Sequence, residues 1–341
     1  MTIKDIARES GYAVGTVSRV LNGQPGVSEN ARAKIMEVVE KYQFRLNSNA
    51  KLLKQQSKDS VAIIIKGIKN MLFAGLVETL QGRIKEKGYT SMVYYIDEDA
   101  HEVEQAMQIC RDMKPLGILF LGSNKENIRE KFEYVDVPCV LVTNSAESLE
   151  FNNLSSVCIS DEDAAKTAIE YLISLGHRKI GMLGGEMIHS TPAKARYEGS
   201  LLAFTENGID FDAQKYYESD YFTMEGGYRA MQRLLKKSDD FTAVFAMSDV
   251  TAMGAIRAII EAGKRVPEDI SVIGFDGIEM GQYIVPRLTT IKQPDEQIAE
   301  RVVEILQGQI DGNLEAIYEE TTFTLIEGDS VRKIVREDTE L

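Results

Sequence analysis

Nowhere does the sequence hold a run approaching the ~18 consecutive apolar residues of a membrane span, and its first residues enter a polar, capped helix instead of an export signal. No membrane partner is expected, and the expected location is the cytoplasm. Cysteine is scarce. Cys110, Cys139 and Cys158 lack metal or redox spacing, and each sits in an apolar run, so three reduced core thiols are expected. Histidine is equally scarce, and His101, His177 and His189 fall in no zinc-ligand pattern. His177 follows the helix-ending Gly176, where a cation would favour the helix dipole, and it is read as structural. There is no nucleophile-elbow or phosphate-loop motif. The glycine-rich stretch Gly181–Gly185 lacks dinucleotide spacing and reads as a strand end. An enzyme is therefore not expected, nor a metal or cofactor.

Positive charge is also in deficit, with 39 Lys and Arg against 53 Asp and Glu and a net charge of -14. That argues against nucleic acid until the distribution is read. Residues 1–58 hold ten basic and five acidic residues, a balance of +5, which leaves -19 on the remainder. A basic head on an acidic body can bind phosphates while the body stays off the DNA. The length of 341 residues allows two or three domains.

What is present begins in the first twenty-two residues. Thr2 is a good N-cap with Asp5 three residues on, and Ile3, Ile6 and Ala7 repeat at helical spacing up to Gly11. A second helix follows at once, with Val14, Val17 and Leu21 expected on one buried face and Thr16, Ser18, Arg19 and Asn22 outside it. Two short helices joined by a glycine-containing turn form a helix-turn-helix, whose second helix lies in the major groove. A third helix is expected from the N-cap Ser28, with Ala31, Ile35, Val38, Val39 and Tyr42 on one face. Lys54–Ser60 is polar and aperiodic and reads as a linker.

Thr2-Ile3-Lys4-Asp5-Ile6-Ala7 with Thr16-Val17-Ser18-Arg19-Val20-Leu21-Asn22 resembles the N-terminus of the LacI/GalR family of bacterial repressors. Phe44–Leu53 resembles the family's hinge segment, with Phe44, Leu46 and Lys51 where aromatic, Pro and Arg are usual. The resemblance implies DNA contacts at Thr2, Val14, Thr16, Val17, Ser18, Arg19 and Asn22. In the hinge it implies contacts at Asn47, Ala50, Lys51 and Leu53, with Leu53 wedged into the minor groove. Ala13, Val14 and Gly15 replace larger polar residues of the family, so hydrogen-bond readout is expected to fall on Arg19, with Thr16 helping.

Beyond the linker, β-rich apolar runs alternate with helical patterns. Strands are expected at 61–66, 91–96, 117–121, 139–142, 157–159, 179–183, 243–247 and 271–275. Helices are expected near 74–87, 102–113, 164–175, 193–207, 226–236 and 250–262. Such alternation means parallel sheets with helices on both faces. This body resembles the periplasmic-binding-protein-like core of the same family at Leu172–Ile180, Arg196-x-x-Gly199, Phe245–Asp249, Ile273–Asp276 and Pro286–Ile291.

The expected fold class is a small all-α helix-turn-helix domain plus an α/β two-lobed periplasmic-binding-protein-like core. The expected domains are 1–46, a hinge and linker at 47–60, and a core at 61–341. One lobe would hold 61–160 plus 292–320, the other 161–291 plus 321–341. Ligand would sit in the cleft at the carboxyl ends of the strands.

The resemblance puts Arg196 and Asp276 in an effector pocket and matches Phe222 to an aromatic that packs on a sugar ring or base. Phe73, Ser123, Asn144 and His189 are strand-end candidates, and Ser248 stands where the family commonly has Asn. The expected function is a homodimeric repressor on a palindromic duplex, controlled by a small-molecule effector, expected to be a carbohydrate. The rival is a solute receptor of a transporter, which needs no basic head.

Overall fold

The computed structural model describes residues 3–21, 25–42, 59–67, 70–187, 190–313 and 315–334. Two compact units are present, residues 1–57 and 58–341.

The first unit holds α1 (Ile3–Ser10), α2 (Val14–Leu21) and α3 (Glu29–Lys41). Gly11, at φ +73°, ends α1 in the left-handed region that glycine adopts without a steric penalty. Ser28 caps α3 and accepts from the Ala31 amide at 3.4 Å. Ile6, Ala7, Val17, Val20 and Ile35 form the core, with Leu21, Val38 and Val39 packed against it. The buried face of α2 is thus rotated from expectation: Val20 is inside, while Val14 is 42% exposed. Tyr42 also lies outward, its hydroxyl donating to Glu9 at 3.3 Å.

The second unit opens with β1 (Ser60–Lys66), α4 (Leu72–Glu86), β2 (Thr90–Ile96), α5 (Glu102–Met113) and β3 (Gly117–Leu121). Next come α6 (Lys125–Lys131), β4 (Cys139–Val142) and β5 (Leu154–Cys158). The chain then crosses to a second sheet through α7 (Asp161–Ser174), β6 (Ile180–Gly184), α8 (Thr191–Glu206), α9 (Ala213–Tyr216) and β7 (Tyr217–Ser219). It continues with α10 (Met224–Lys237), β8 (Ala243–Ala246), α11 (Asp249–Glu261), β9 (Ser271–Asp276) and β10 (Thr289–Lys292). It returns as α12 (Asp295–Ile310) and β11 (Tyr318–Glu320), and crosses a third time to β12 (Thr324–Ile326). The sheets run β11-β5-β4-β3-β1-β2 and β12-β10-β9-β8-β6-β7. All pairings are parallel except β12 with β10.

Strand β1 shows why the apolar runs are continuous. Val61, Ile63 and Ile65 enter the cluster beneath α4 and α12, while Ala62 and Ile64 enter the cluster beneath α5. Both faces are covered, so every position is apolar. In the second sheet Met182, Phe245 and Phe275 face the cluster of α7 and α8, whereas Leu183, Val244 and Val272 face that of α10 and α11. Helices in each pair meet at glycines. A Cβ on Gly199 would lie 2.0 Å from the Glu162 carbonyl oxygen, and one on Gly254 would lie 1.9 Å from that of Met224.

Several expected boundaries move. Ser60 belongs to β1 and is fully buried, so the polar linker ends before it. The strand expected at 157–159 is Leu154–Cys158, whose central serines hid its start. Helices α7, α8, α10 and α11 each begin one to three residues early, because Ser160, Ser190, Thr223 and Ser248 cap them. Among the described residues, no helix is long and apolar enough to cross a membrane. All three cysteines are free; Cys139 and Cys158 are buried and Cys110 is half-buried. Burial pushes the Cys158 thiol up to about 12.

Candidate functional site

The carboxyl ends of the strands of both sheets frame one cavity of about 370 Å³, in the size range of small-ligand sites. On the first lobe, Lys66 and Gly67 end β1, Gly122 and Ser123 follow β3, and Thr143 follows β4. Gly122 has φ +77°, and a Cβ there would sit 2.5 Å from the Lys66 carbonyl oxygen and 3.0 Å from the Phe73 ring. The absence of that Cβ lets Phe73 stand in the wall. Thr143 holds φ +71°, an uncommon conformation for a β-branched residue. On the second lobe, Ser190 and Pro192 begin α8, and Tyr221 and Phe222 follow β7. Gly185 makes room for the Phe222 ring, which a Cβ would meet at 2.8 Å.

Arg196 is the most constrained side chain in the wall. It is 5% exposed, and its Nε donates to Asp161 Oδ1 at 2.7 Å. Its Nη1 donates to the Met247 carbonyl, its Nη2 lies 3.6 Å from Asp276 Oδ1, and its plane stacks 3.7 Å over Phe275. The guanidinium fork therefore ties α7, β8 and β9 together.

Asp276 sits beneath Arg196, 1% exposed, at φ +113°. Its Oδ1 accepts from Gln293 Nε2 at 3.0 Å, while Oδ2 has no partner among the described residues. Burial pushes its carboxyl up to about 7, opposed by Arg196. Asp249 supports the turn below, accepting from the Ile278 amide at 2.8 Å and the Thr290 hydroxyl at 2.6 Å. Burial, then repulsion from Asp276, raises its carboxyl well above the ordinary range.

Of the expected effector residues, Phe73, Ser123, Arg196 and Phe222 line this cavity. Three others do not. Asn144 lies behind the wall, donating to the Ser123 carbonyl at 2.6 Å. Ser248 is wholly buried as the cap of α11, bonded to Thr251. Asp276 is shielded by Arg196, so it shapes the wall without forming it. His189 lies outside the described residues.

Sequence reasoning missed Lys66, Tyr221 and the acidic triplet Asp97-Glu98-Asp99, all in the wall. The triplet follows strand β2 directly, so the rule that ligands bind at strand carboxyl ends could have found it. His177 is structural: its Nε2 donates to the Arg332 carbonyl at 3.0 Å and its Nδ1 accepts from Thr242 at 2.9 Å. Burial pushes the imidazole below its ordinary range, opposed by the hydrogen bond to the Arg332 carbonyl.

In the helix-turn-helix unit, Arg19 and Val14 are exposed and Thr16 and Ser18 are half-buried. Val17 is 0% exposed in the core of the unit, so it supports α2 and offers nothing to a base edge. Thr2, Asn22, Asn47, Ala50, Lys51 and Leu53 lie outside the described residues. The α2 turn lacks a side-chain cap, and the Ala13 carbonyl accepts from Thr16 and Val17.

A basic three-helix unit joined to a two-lobed α/β core with a ligand-sized cleft defines a DNA-binding regulator with a sensor core. The comparisons agree. Residues 2–47 match the model of bacterial regulatory proteins of the lacI family, and residues 169–331 match that of the periplasmic binding protein-like domain. The chain is 35% identical to the HTH-type transcriptional regulator MalR of Clostridium butyricum, across 100% of this chain and 97% of that protein. It is 31% identical to the HTH-type transcriptional repressor PurR of Glaesserella parasuis serovar 5, across 96% and 95%. A solved complex of the transcriptional regulator CelR with cellobiose superposes with a TM-score of 0.73 at 25% identity, covering 97% of this chain and 99% of that one. The chain belongs to the lacI family of bacterial transcriptional regulators.

Proposed function

We propose that the chain is a homodimeric repressor whose affinity for a palindromic operator is set by a sugar in the cleft. The carrying observation is the wall itself: Phe73 and Phe222, one from each lobe, with Ser123 and Arg196 among the same lining residues. Aromatic faces suit the apolar side of a sugar ring, and hydroxyl and guanidinium groups suit its edge. The similar CelR structure holds cellobiose, which supports a sugar as the ligand class. Contacts from both lobes give a ligand different affinities for open and closed clefts, which is what any shift between two states requires. The rival reading of a transporter's solute receptor leaves the basic helix-turn-helix unit without a role.

The test is selection of duplexes from a random pool by the full chain. A palindromic consensus is expected, and Arg19→Ala should cost about 1–3 kcal/mol of discrimination at one base pair per half-site. A chain that enriches no sequence overturns the regulatory reading. Undiminished preference in Arg19→Ala overturns the role of Arg19.

A further inference from the structure

We propose that the effector carries no negative charge: the cleft takes a neutral or amino-bearing sugar and rejects sugar acids and sugar phosphates. The ligand class rests on the carbohydrate reading above, whereas the charge rule applies to any small effector of this cavity.

Among the described residues three cations reach the wall, and each already faces a carboxylate. Lys66 Nζ lies 3.0 Å from Glu102 Oε2, and both side chains are buried. Arg196 is held by Asp161 and Asp276. Arg229 donates from Nε to Asp220 at 3.2 Å, and its Nη1 lies 3.0 Å from Glu225. The charge of each is thus already offset before a ligand arrives. The opposite holds for the acids. Asp97, Glu98 and Asp99 line the same cavity where β2 ends, exposed, and none makes an ion pair with a described residue.

Among the described residues the walls thus carry four carboxylates against three cations, and four more carboxyl groups lie directly behind those cations, one of them, Asp220, shared with Arg233. The balance of these groups is negative, and low-dielectric walls focus such a field inward. Glu98 lies among these charges. Partial burial against the wall pushes its carboxyl up, Lys66 opposes this, and Asp99, Asp220 and Glu186 add to the rise. Asp220 and Glu186 belong to the other lobe, so the acidic field spans the cleft.

A second observation points to a hydrogen-bonding partner in this cavity. Ser123 lines the cavity, is 3% exposed, and its Oγ has no hydrogen-bond partner among the described residues. Buried hydroxyls are nearly always paired, and a sugar hydroxyl completes this one without bringing charge.

The charge rule can be read without knowing the effector. Tyr221 lines the cavity and is 60% exposed, so Tyr221→Cys places a thiol at the mouth. Its labelling rate is measured with cationic 2-aminoethyl and anionic 2-sulfonatoethyl methanethiosulfonate. Each rate is normalised to a free cysteine amide and corrected for the parent chain. The cationic reagent is expected to be favoured about 10-fold or more, and D97N/E98Q/D99N should bring the ratio close to one. A ratio near or below one in Tyr221→Cys overturns the proposal, as does a preference untouched by the triple change.

The sugar class is read separately, from melting shifts of the full chain with cellobiose, glucose, glucosamine, glucuronate and glucose 6-phosphate. Stabilisation by glucuronate or the phosphate beyond their neutral parent also overturns the charge rule. If no sugar stabilises the chain, the carbohydrate reading fails while the labelling ratio still decides the charge.

Discussion

Asp276 shows how much a single residue's meaning depends on what packs around it. As a strand-end carboxylate it reads as a ligand for hydroxyls. In the fold it is a buried partner of Arg196 and Gln293, with its carboxyl raised from 3.8 to about 7. The unfolded chain releases this proton near pH 4 and the native chain near pH 7. Between those values the native state binds more protons, so this group makes stability fall as pH rises, and contributes no slope outside that window. Asp295, raised by burial to about 6, adds a slope of the same sign over a narrower window. Asp276→Asn is therefore expected to flatten the loss of stability between pH 5 and pH 7.5, measured as urea midpoints of parent and variant. Equal slopes in the two proteins would place the titration elsewhere. Val17 teaches the same lesson in the first unit: a position inside a matching motif is a core residue once its exposure is known.

At the scale of elements, the long periodic segments were legible and the short or capped ones were not. Helix α5 and strands β3 and β4 fall where the sequence places them, because their apolar patterns run from end to end. Strands β11 and β12 have three residues each and carry no pattern, since they exist only by pairing to β5 and β10. Nor does local pattern disclose the packing of α10 on α11. There Gly227 and Gly254 let the backbones touch, and a Cβ on either would lie within 2.2 Å of a carbonyl oxygen of the other helix. Gly254→Ala must push the helices apart. It is expected to cost at least about 1–3 kcal/mol, the usual penalty of overpacking, although alanine is the better helix former. A lower urea midpoint with an unchanged m-value would show this. An unchanged midpoint would mean that the pair separates freely.

At the scale of the whole molecule, charge is divided between a basic first unit and an acidic remainder. The cavity of the second unit takes walls from both lobes. A ligand that binds only the folded core must raise its melting transition with the logarithm of concentration, by about 2.7 kcal/mol at one hundred times Kd. If the same ligand weakens operator binding, operator must weaken the ligand by the same factor. Titrating the sugar with and without the selected duplex checks this, and unequal factors would mean that the two sites are not coupled through one equilibrium.

By itself the sequence determined the helix-turn-helix unit, the alternating α/β core and the division of charge. These follow from periodicity, caps and composition, which act over a few residues at a time. Only the tertiary structure decided which strand ends share a cavity. Lys66, the triplet 97–99 and Ser123 come from one lobe, while Arg196 and Phe222 come from the other. Tertiary structure also decided that each cation in the wall is matched by a buried or neighbouring carboxylate. Glu225 and Arg229 form a local i,i+4 pair on one helix, but the other pairings join residues 35 to 80 positions apart through sheet order and the crossings of the chain, and no local pattern encodes them.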